Sequence, residues 1–209
     1  MAEAVKAGVR AEHAAFTRAR ILDAARVEFE QRGFAGAPIT GIASRAGVAV
    51  PTVYKVFTTK RNLLAQVVNR AMTGAQYGGR VDEQAWWQEQ LNEPDPERQL
   101  ALIARNARRI YERAGQILEV VRAAAALDPD IGQMWQRVMQ QRAARAARTA
   151  AALVPRAGRH ARFNAAETAV TLQALTAPEL YTAQIQAGRT PTQYERWLAA
   201  VLTATLLRL

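Results

Sequence analysis

Apolar residues recur at intervals of three and four along most of the chain, which is the spacing that predicts amphipathic helices. No stretch of comparable length alternates apolar and polar residues as a half-buried strand does. The first helix is predicted to begin at a capping Thr17 and to end at Gly33, because threonine often starts a helix and glycine often follows its last turn. A short helix over Ile39–Ala46 and a longer one after a cap at Thr58 or Thr59 follow.

The segment GVAVPTVYKVF, residues 47 to 57, lies between two of these helices and contains a proline. Proline has no amide hydrogen, but the first turn of a helix has no intrahelical acceptor for one, so Pro51 predicts a helix start. Val53 and Phe57 are four residues apart and would share its buried face. Two helices joined by a glycine turn form a helix-turn-helix, whose second helix enters the major groove of DNA. The opposite face holds Val50, Pro51, Thr52 and Lys55.

The rest of the chain also shows helical periodicity, with a domain boundary predicted near Gly74. Three cap-and-proline pairs mark helix starts there, and the stretch around Gly158 is predicted to be a loop. The chain is therefore predicted to be all-α, with a flexible N-terminal arm (1–16), a three-helix helix-turn-helix domain (17–73) and a larger helical domain (74–209). The helices expected in the larger domain lie near 83–91, 96–113, 115–126, 130–153, 165–187 and 191–208.

Composition narrows the possible chemistry. The chain has no cysteine and two histidines, so disulfides, thiolate catalysis and the common zinc sites have almost no residues to use. No Glu-x-x-His pair, nucleophile triad or glycine-rich phosphate loop is present, so we expect neither an enzyme nor a metal or other cofactor. There is no apolar run of about 18 residues and no signal peptide pattern, which predicts a cytoplasmic protein without a membrane partner.

Positive charge points to a polyanionic partner. The chain carries a formal charge of +10, and residues 1 to 72 hold 11 Lys and Arg against 5 Asp and Glu. The first third therefore holds more than half of the excess. Because nearly all of the basic residues are arginine in an alanine-rich chain, the arginine content by itself says little about function.

Residues 17 to 68 resemble the DNA-binding domain of the TetR family of bacterial transcriptional repressors. About fifteen positions match in register over some 50 residues, which is far more specific than a helix-turn-helix pattern alone. The resemblance identifies residues 17–73 as a DNA-binding domain. The matching positions are Ile21, Ala25, Phe29, Gly33, Phe34, Ile42, Ala43, Ala46, Gly47, Val48, Thr52, Tyr54, Phe57, Lys60, Leu63 and Leu64.

The resemblance implies roles for the residues that would face DNA. Thr52 and Tyr54 would give hydroxyl contacts to phosphate, and Lys55 would contact a base edge or a neighbouring phosphate. Lys60 would anchor a phosphate at the start of the fourth helix, and Thr40 would reach a base or the backbone. The family commonly has Ser or Thr where Ala37-Pro38 stands, Ser at Ala49 and Gly at Pro51. Without those side chains, Val50 and Pro51 would face thymine methyl groups instead.

The C-terminal part resembles the family's regulatory domain more loosely, most clearly over residues 171–207. In actinobacterial-type members the last two helices pack against their twins in a four-helix dimer interface. The alternative is that the same apolar residues fill the monomer core. The predicted interface residues are Leu172, Leu175, Leu180, Tyr181, Trp197, Leu198, Val201 and Leu202.

Family members usually hold a small-molecule effector in this domain. The residues expected to line such a pocket are Trp86, Trp87, Tyr111, Met134, Trp135 and Met139, with an ordinary core as the alternative. An acidic effector would also suit the basic stripe Arg105, Arg108, Arg109 and Arg113, although a solvated face explains that stripe as well.

Three functions remain to be weighed. The first is a homodimeric repressor that binds an inverted-repeat operator in double-stranded DNA and is released by a small-molecule effector. The second is a helical global or architectural DNA-binding regulator without an effector. The third, an all-helical enzyme with an N-terminal interaction module, would need an acid/base cluster that the sequence does not show.

Overall fold

The computed structural model describes residues 2–74 and 79–208, with side chains from Glu12 onward. The segment that directly follows the predicted boundary at residue 74 therefore lies outside the described residues. The described part contains ten α-helices and no β-strand. They are α1 (Ala2–Gly36), α2 (Ile39–Ala46), α3 (Val50–Phe57), α4 (Lys60–Thr73), α5 (Ala85–Asn92), α6 (Pro96–Ala125), α7 (Pro129–Ala157), α8 (Ala165–Leu175), α9 (Pro178–Gln186) and α10 (Pro191–Leu206).

The first four helices form a small head around a shared apolar core. Residues Ile21, Ala25 and Phe29 of α1 are fully buried, as are Leu63 and Leu64 of α4. At Gly33 the backbone leaves helical geometry, with φ 67° and ψ 175°, which only glycine adopts readily. The short helices α2 and α3 then pack across the end of this base.

The remaining helices form the larger domain, with α6 at its centre. This 30-residue helix packs against α1 and α4 of the head and against α7, α9 and α10 of the larger domain. The apolar core is continuous from Ile21 to Leu207, so the two domains share one hydrophobic interior rather than meeting across a linker. None of the described helices is long and apolar enough to cross a membrane.

The start of α1 and the end of α7 differ from the sequence prediction. The segment predicted as a flexible N-terminal arm is helical, because α1 begins at Ala2 rather than at Thr17. Alanine, which is abundant there, has the highest helix propensity. Helix α7 continues through Pro155 and ends at Ala157, directly before Gly158 with its φ of 52°, so the loop predicted around Gly158 is shorter.

The number of helices in the larger domain also differs. The break expected before Gly115 is absent, and α6 runs through it, because Ala114, Ile117 and Leu118 on either side are buried against neighbouring helices. Conversely, the single helix expected over 165–187 is two helices. Helix α8 ends at Leu175 and α9 begins at Pro178, since the residue before a proline disfavours helical geometry.

Candidate nucleic-acid interface and internal cavity

A tight glycine turn joins α2 to α3. Gly47 has φ 62° and ψ 40°, and its amide donates to the carbonyls of Ala43 and Ser44. The amide of Val48 donates to the carbonyl of Ala43 at 3.0 Å. These bonds cap α2 in the left-handed geometry that favours glycine, and they fix the angle between the two helices.

Helix α3 is anchored on one face and exposed on the other. Val53 and Phe57 are each 1% exposed, as the sequence predicts, and the Arg18 guanidinium lies 4.8 Å from the centre of the Phe57 ring. Pro51 lies in the first turn, where its missing amide hydrogen leaves no acceptor unpaired. Tyr54 is 47% exposed, so it is not a core aromatic.

Most of the residues predicted to contact DNA belong to α2 and α3, and they differ in exposure. Thr40, Pro51 and Lys55 are exposed, as is Tyr54, whereas Val50 and Thr52 are half-buried. The residues before the two helices, Pro38 and Ala49, form no side-chain cap bond. The first amides of α2 and α3 therefore have no side-chain acceptor, as expected where the family's hydroxyl residues are replaced.

Lys60 is the first residue of α4. Its Nζ lies 4.8 Å from the centre of the Phe34 ring and 3.4 Å from the carbonyl oxygen of Ala35, and burial lowers its pKa. Thr59 is the N-cap of α4, since its hydroxyl accepts from the amide of Asn62 at 3.0 Å. The contact with the Phe34 ring therefore holds the lysine at the N-terminus of α4. An anion such as a DNA phosphate would be favoured there by both the lysine and the helix dipole.

Two arginines near α3 form ion pairs with carboxylates of the protein itself. Arg45 is paired with the buried carboxylate of Glu28 at 3.0 Å. Arg61, at the start of α4, is paired with Asp128 at 2.9 Å and with Asp130 at 3.4 Å, both at the start of α7. A hydrogen bond and the charge of Arg61 lower the pKa of Asp128. This second pair joins the head to the larger domain.

A cavity of about 100 Å³ lies inside the larger domain, between α5, α6, α7 and α8. A second cavity of about 310 Å³ adjoins it, and both are lined by Met72, Val81 and Arg145. Met72 belongs to the last turn of α4, so the cavity reaches the last helix of the head. Tyr111 in the wall donates from its hydroxyl to the carbonyl of Thr176 at 2.6 Å, and burial raises its pKa.

The cavity contains some of the predicted pocket residues. Trp86, Trp87 and Tyr111 line it, and Met134 lines the adjoining cavity. Trp135 and Met139 line neither, so their assignment to the pocket is corrected: both are half-buried on α7, and Trp135 packs against the apolar core.

Sequence reasoning missed Arg142 and Arg145, which also line the cavity. Their spacing of three on α7 was the available signal for a shared face. The many arginines and alanines around them concealed it.

Of the eight residues predicted to form the dimer interface, four are buried in the monomer core and four are partly exposed. Leu172 and Leu198 are 3% and 0% exposed, and Tyr181 and Leu202 are buried as well. These four pack inside the monomer, so their assignment to a partner surface is corrected. Leu175, Leu180, Trp197 and Val201 are half-buried and remain the predicted contact residues.

Comparison with protein families gives one match to the head. Residues 21–67 match the family described as bacterial regulatory proteins, tetR family. The match covers α2 and α3 completely, together with most of the described core of α1 and α4. We find no curated protein with significant sequence similarity to the chain.

Solved structures resemble the whole chain in fold. A proposed TetR-family transcriptional regulator from Rhodococcus sp. is 19% identical with a TM-score of 0.68, over 91% of this chain and 98% of that one. A proposed regulator from Saccharomonospora viridis, solved with choline, is 18% identical with a TM-score of 0.68, over 92% and 98%. The regulator FadR from Bacillus subtilis, solved with stearoyl-CoA, is 14% identical with a TM-score of 0.69, over 90% and 98%.

At these identities the solved structures establish the fold alone, and the family match covers residues 21–67, which include the whole of the helix-turn-helix. The matched segment carries the exposed face of α3 on its buried anchors, which is the part of a helix-turn-helix that reads DNA. The N-terminal segment of this chain is therefore similar to the bacterial regulatory proteins of the tetR family over residues 21–67, and the chain as a whole has the fold of solved TetR-family transcriptional regulators.

Proposed function

We propose that the protein is a homodimeric repressor that binds an inverted-repeat operator and is released when a small molecule occupies the internal cavity. The observation that carries the DNA-binding part is the arrangement of α3, whose Val53 and Phe57 are buried while Tyr54 and Lys55 are exposed. A rigid helix that presents a hydroxyl and a cation at its surface suits contacts to phosphates and base edges.

Dimerisation follows from the small size of one head. A single helix-turn-helix neutralises few phosphates and contacts few base pairs, whereas a two-fold dimer doubles both and requires a palindromic site. Leu175 and Leu180 on α8 and α9, with Trp197 and Val201 on α10, are the partly exposed apolar residues available for the partner. Val170, which is exposed on α8, adds to this surface.

Selection of bound sequences from random duplex DNA tests the proposal. We expect the full chain to enrich an inverted repeat, with affinity that falls steeply as salt rises because bound cations of the DNA are released. Fluorescence anisotropy with the selected duplex and a shuffled duplex supplies the measurement. Equal binding to both duplexes, or binding that salt does not weaken, would contradict the proposal.

Two lysines should affect DNA binding differently. Lys60→Ala removes a cation beside a helix N-terminus, so we expect affinity for all duplexes to fall by about tenfold and the salt slope to become shallower. Lys55→Ala removes an exposed side chain of α3, so the enriched sequence should change as well as the affinity. An unchanged sequence preference in Lys55→Ala would reduce Lys55 to a phosphate contact.

The cavity supports an effector over the alternative of an architectural regulator without one. Met72 in the last turn of α4 lines it, so a bound molecule would contact the last helix of the head. The Saccharomonospora viridis and Bacillus subtilis structures contain different ligands, choline and stearoyl-CoA, so the shared fold does not choose a ligand class. That choice depends on the side chains of this cavity.

A further inference from the structure

Two arginines from the same helix line the internal cavity. Arg142 donates to the carbonyl of Gln173 and to the hydroxyl of Thr176, the latter at 3.3 Å, which holds its guanidinium against α8. Its Nε is buried and has no hydrogen-bond partner among the described residues. Arg145 follows three residues later and lines both cavities.

Neither arginine has a counter-ion in the described part of the chain. The lining of the smaller cavity includes no aspartate or glutamate. The larger one includes a single carboxylate, Asp82, which is already paired with Arg80 at 3.0 Å and with Arg148 at 3.4 Å. Arg145 makes no ion pair or hydrogen bond with any described residue, so no paired counter-ion balances its charge in this partly desolvated site, and Asp82 acts on it only from beyond ion-pair distance.

A cation without a paired counter-ion in such a site is unfavourable, because removing a charge from water costs more than neighbouring dipoles return. Burial lowers the pKa of Arg145, and the charge of Arg142 lowers it further, while Tyr111 and Asp82 act in the opposite direction. An anion placed between the two guanidinium groups would remove this penalty. It would also form the charge-assisted hydrogen bonds for which the arginine geometry is suited.

Other groups in the wall fit the same kind of ligand. Trp87 is 5% exposed, and its indole Nε1, which can only donate, has no acceptor among the described residues. The remaining wall is largely apolar and includes Trp86, Ile103 and Leu172. The wall therefore combines hydrogen-bond donors that have no acceptor among the described residues, on Trp87 and Arg142, with an apolar surface.

We propose that this cavity binds a small organic carboxylate whose charged group lies against Arg142 and Arg145 and whose apolar body packs among Trp86, Ile103 and Leu172. The inference rests on the proposed effector role of the cavity and specifies its chemistry. A volume of about 100 Å³ is somewhat smaller than the roughly 150 Å³ of an engineered cavity that holds benzene, so a ligand of that size or larger would extend past Arg145 into the adjoining cavity. A quaternary ammonium ligand such as choline would be repelled.

Matched pairs of probes test the charge requirement. Butanoate, hexanoate and benzoate are each compared with the corresponding primary amide, and choline is the cationic probe, with ionic strength kept constant by sodium chloride. Calorimetry and thermal unfolding are measured on the full chain. We expect at least one carboxylate to bind saturably and to raise the Tm, its amide to bind at least tenfold more weakly, and choline to have no effect.

Substitutions connect the binding to the arginines. Arg145→Met replaces the unbranched stem of the arginine with an apolar one of similar length and removes the guanidinium and its charge, and Arg145→Gln serves if that variant folds poorly. Either should weaken carboxylate binding at least tenfold without weakening amide binding. Arg98→Met is the matched control, since Arg98 is exposed on α6 and lies outside both cavities. It should leave both affinities unchanged.

The outcomes separate this inference from the repressor proposal. Equal binding of carboxylate and amide, or no saturable binding of any carboxylate in the panel, would overturn the anion site whatever the protein does with DNA. Carboxylate binding that depends on Arg145 but leaves the affinity for the selected operator unchanged would support the anion site. That same result would overturn release of the repressor by the ligand.

Discussion

Phe57→Ala is expected to lower the free energy of unfolding by about 3–5 kcal/mol, as truncation of a buried phenylalanine generally does. Phe57 is 1% exposed and is one of the two residues, with Val53, that are fully buried in the eight-residue helix α3. So short a helix is stable only through its tertiary contacts. For a chain of this length the loss corresponds to a Tm lower by roughly 10 °C, measured by circular dichroism.

Operator binding should be lost in the same variant, because α3 would no longer be held at a fixed angle on the head. Tyr54→Ala is the matched control: it truncates an aromatic residue in the same helix that is 47% exposed. We expect its free energy of unfolding to change by no more than about 0.5 kcal/mol, while its affinity for the operator falls. An unchanged Tm in Phe57→Ala would show that Phe57 does not anchor α3.

Arg113→Ala is expected to destabilise the junction between the two domains. The guanidinium of Arg113, on α6, donates to the carbonyls of Ala71 at 3.3 Å and Met72 at 3.4 Å, in the last turn of α4. The carbonyl of Arg113 itself accepts from Arg26 of α1 at 2.6 Å. Removing the side chain leaves two carbonyls at the end of α4 without this donor, which costs about 1–3 kcal/mol.

The Tm should accordingly fall by about 2–4 °C for each kcal/mol lost. Arg109→Ala supplies the control, because Arg109 lies one turn earlier on α6 and is exposed. Loss of one positive charge is then the same in both variants, and only Arg113→Ala removes bonds to α4. Equal Tm values for the two variants would mean that the bonds to Ala71 and Met72 do not stabilise the junction.

The sequence predicted the geometry of the head well. Gly33 and Gly47 occur where the backbone has positive φ, Pro51 lies in the first turn of α3, and Val53 and Phe57 are buried. Each of these features depends on one residue and its neighbours along the chain. Glycine, proline and apolar spacing act through local sterics and through the three- and four-residue repeat of a helix, which a single sequence contains.

The larger domain was predicted less well because tertiary contacts override local preference. Gly115 lies in the interior of α6, although glycine weakens a helix by about 1 kcal/mol relative to alanine. The buried residues on either side offset that cost. Pro178 had the opposite outcome, since it separates α8 from α9 inside a stretch whose apolar spacing predicts one helix. In that case the proline itself was the available signal.

Charged residues show most clearly what local patterns do not determine. For the basic stripe of Arg105, Arg108, Arg109 and Arg113, the sequence left open either a solvated face or a contact with an acidic effector. In the structure Arg105 is paired with Glu89, and Arg108 with Glu112 and Glu195. Arg113 instead donates to α4. Arg142 and Arg145, on another helix, are the arginines that line the cavity.

By itself the sequence determined the helical class, the register of the helix-turn-helix and the residues that α3 presents at its surface. Only the tertiary structure decided that Leu172 and Leu198 belong to the monomer core, that Trp86 and Tyr111 share a cavity, and that Arg142 and Arg145 line it without an ion pair to any described residue. The physical reason is distance along the chain. Helix caps and faces depend on residues within about four positions, whereas the pairing of a charge or the walls of a cavity depend on helices far apart in sequence, as in the bond from Tyr111 to Thr176.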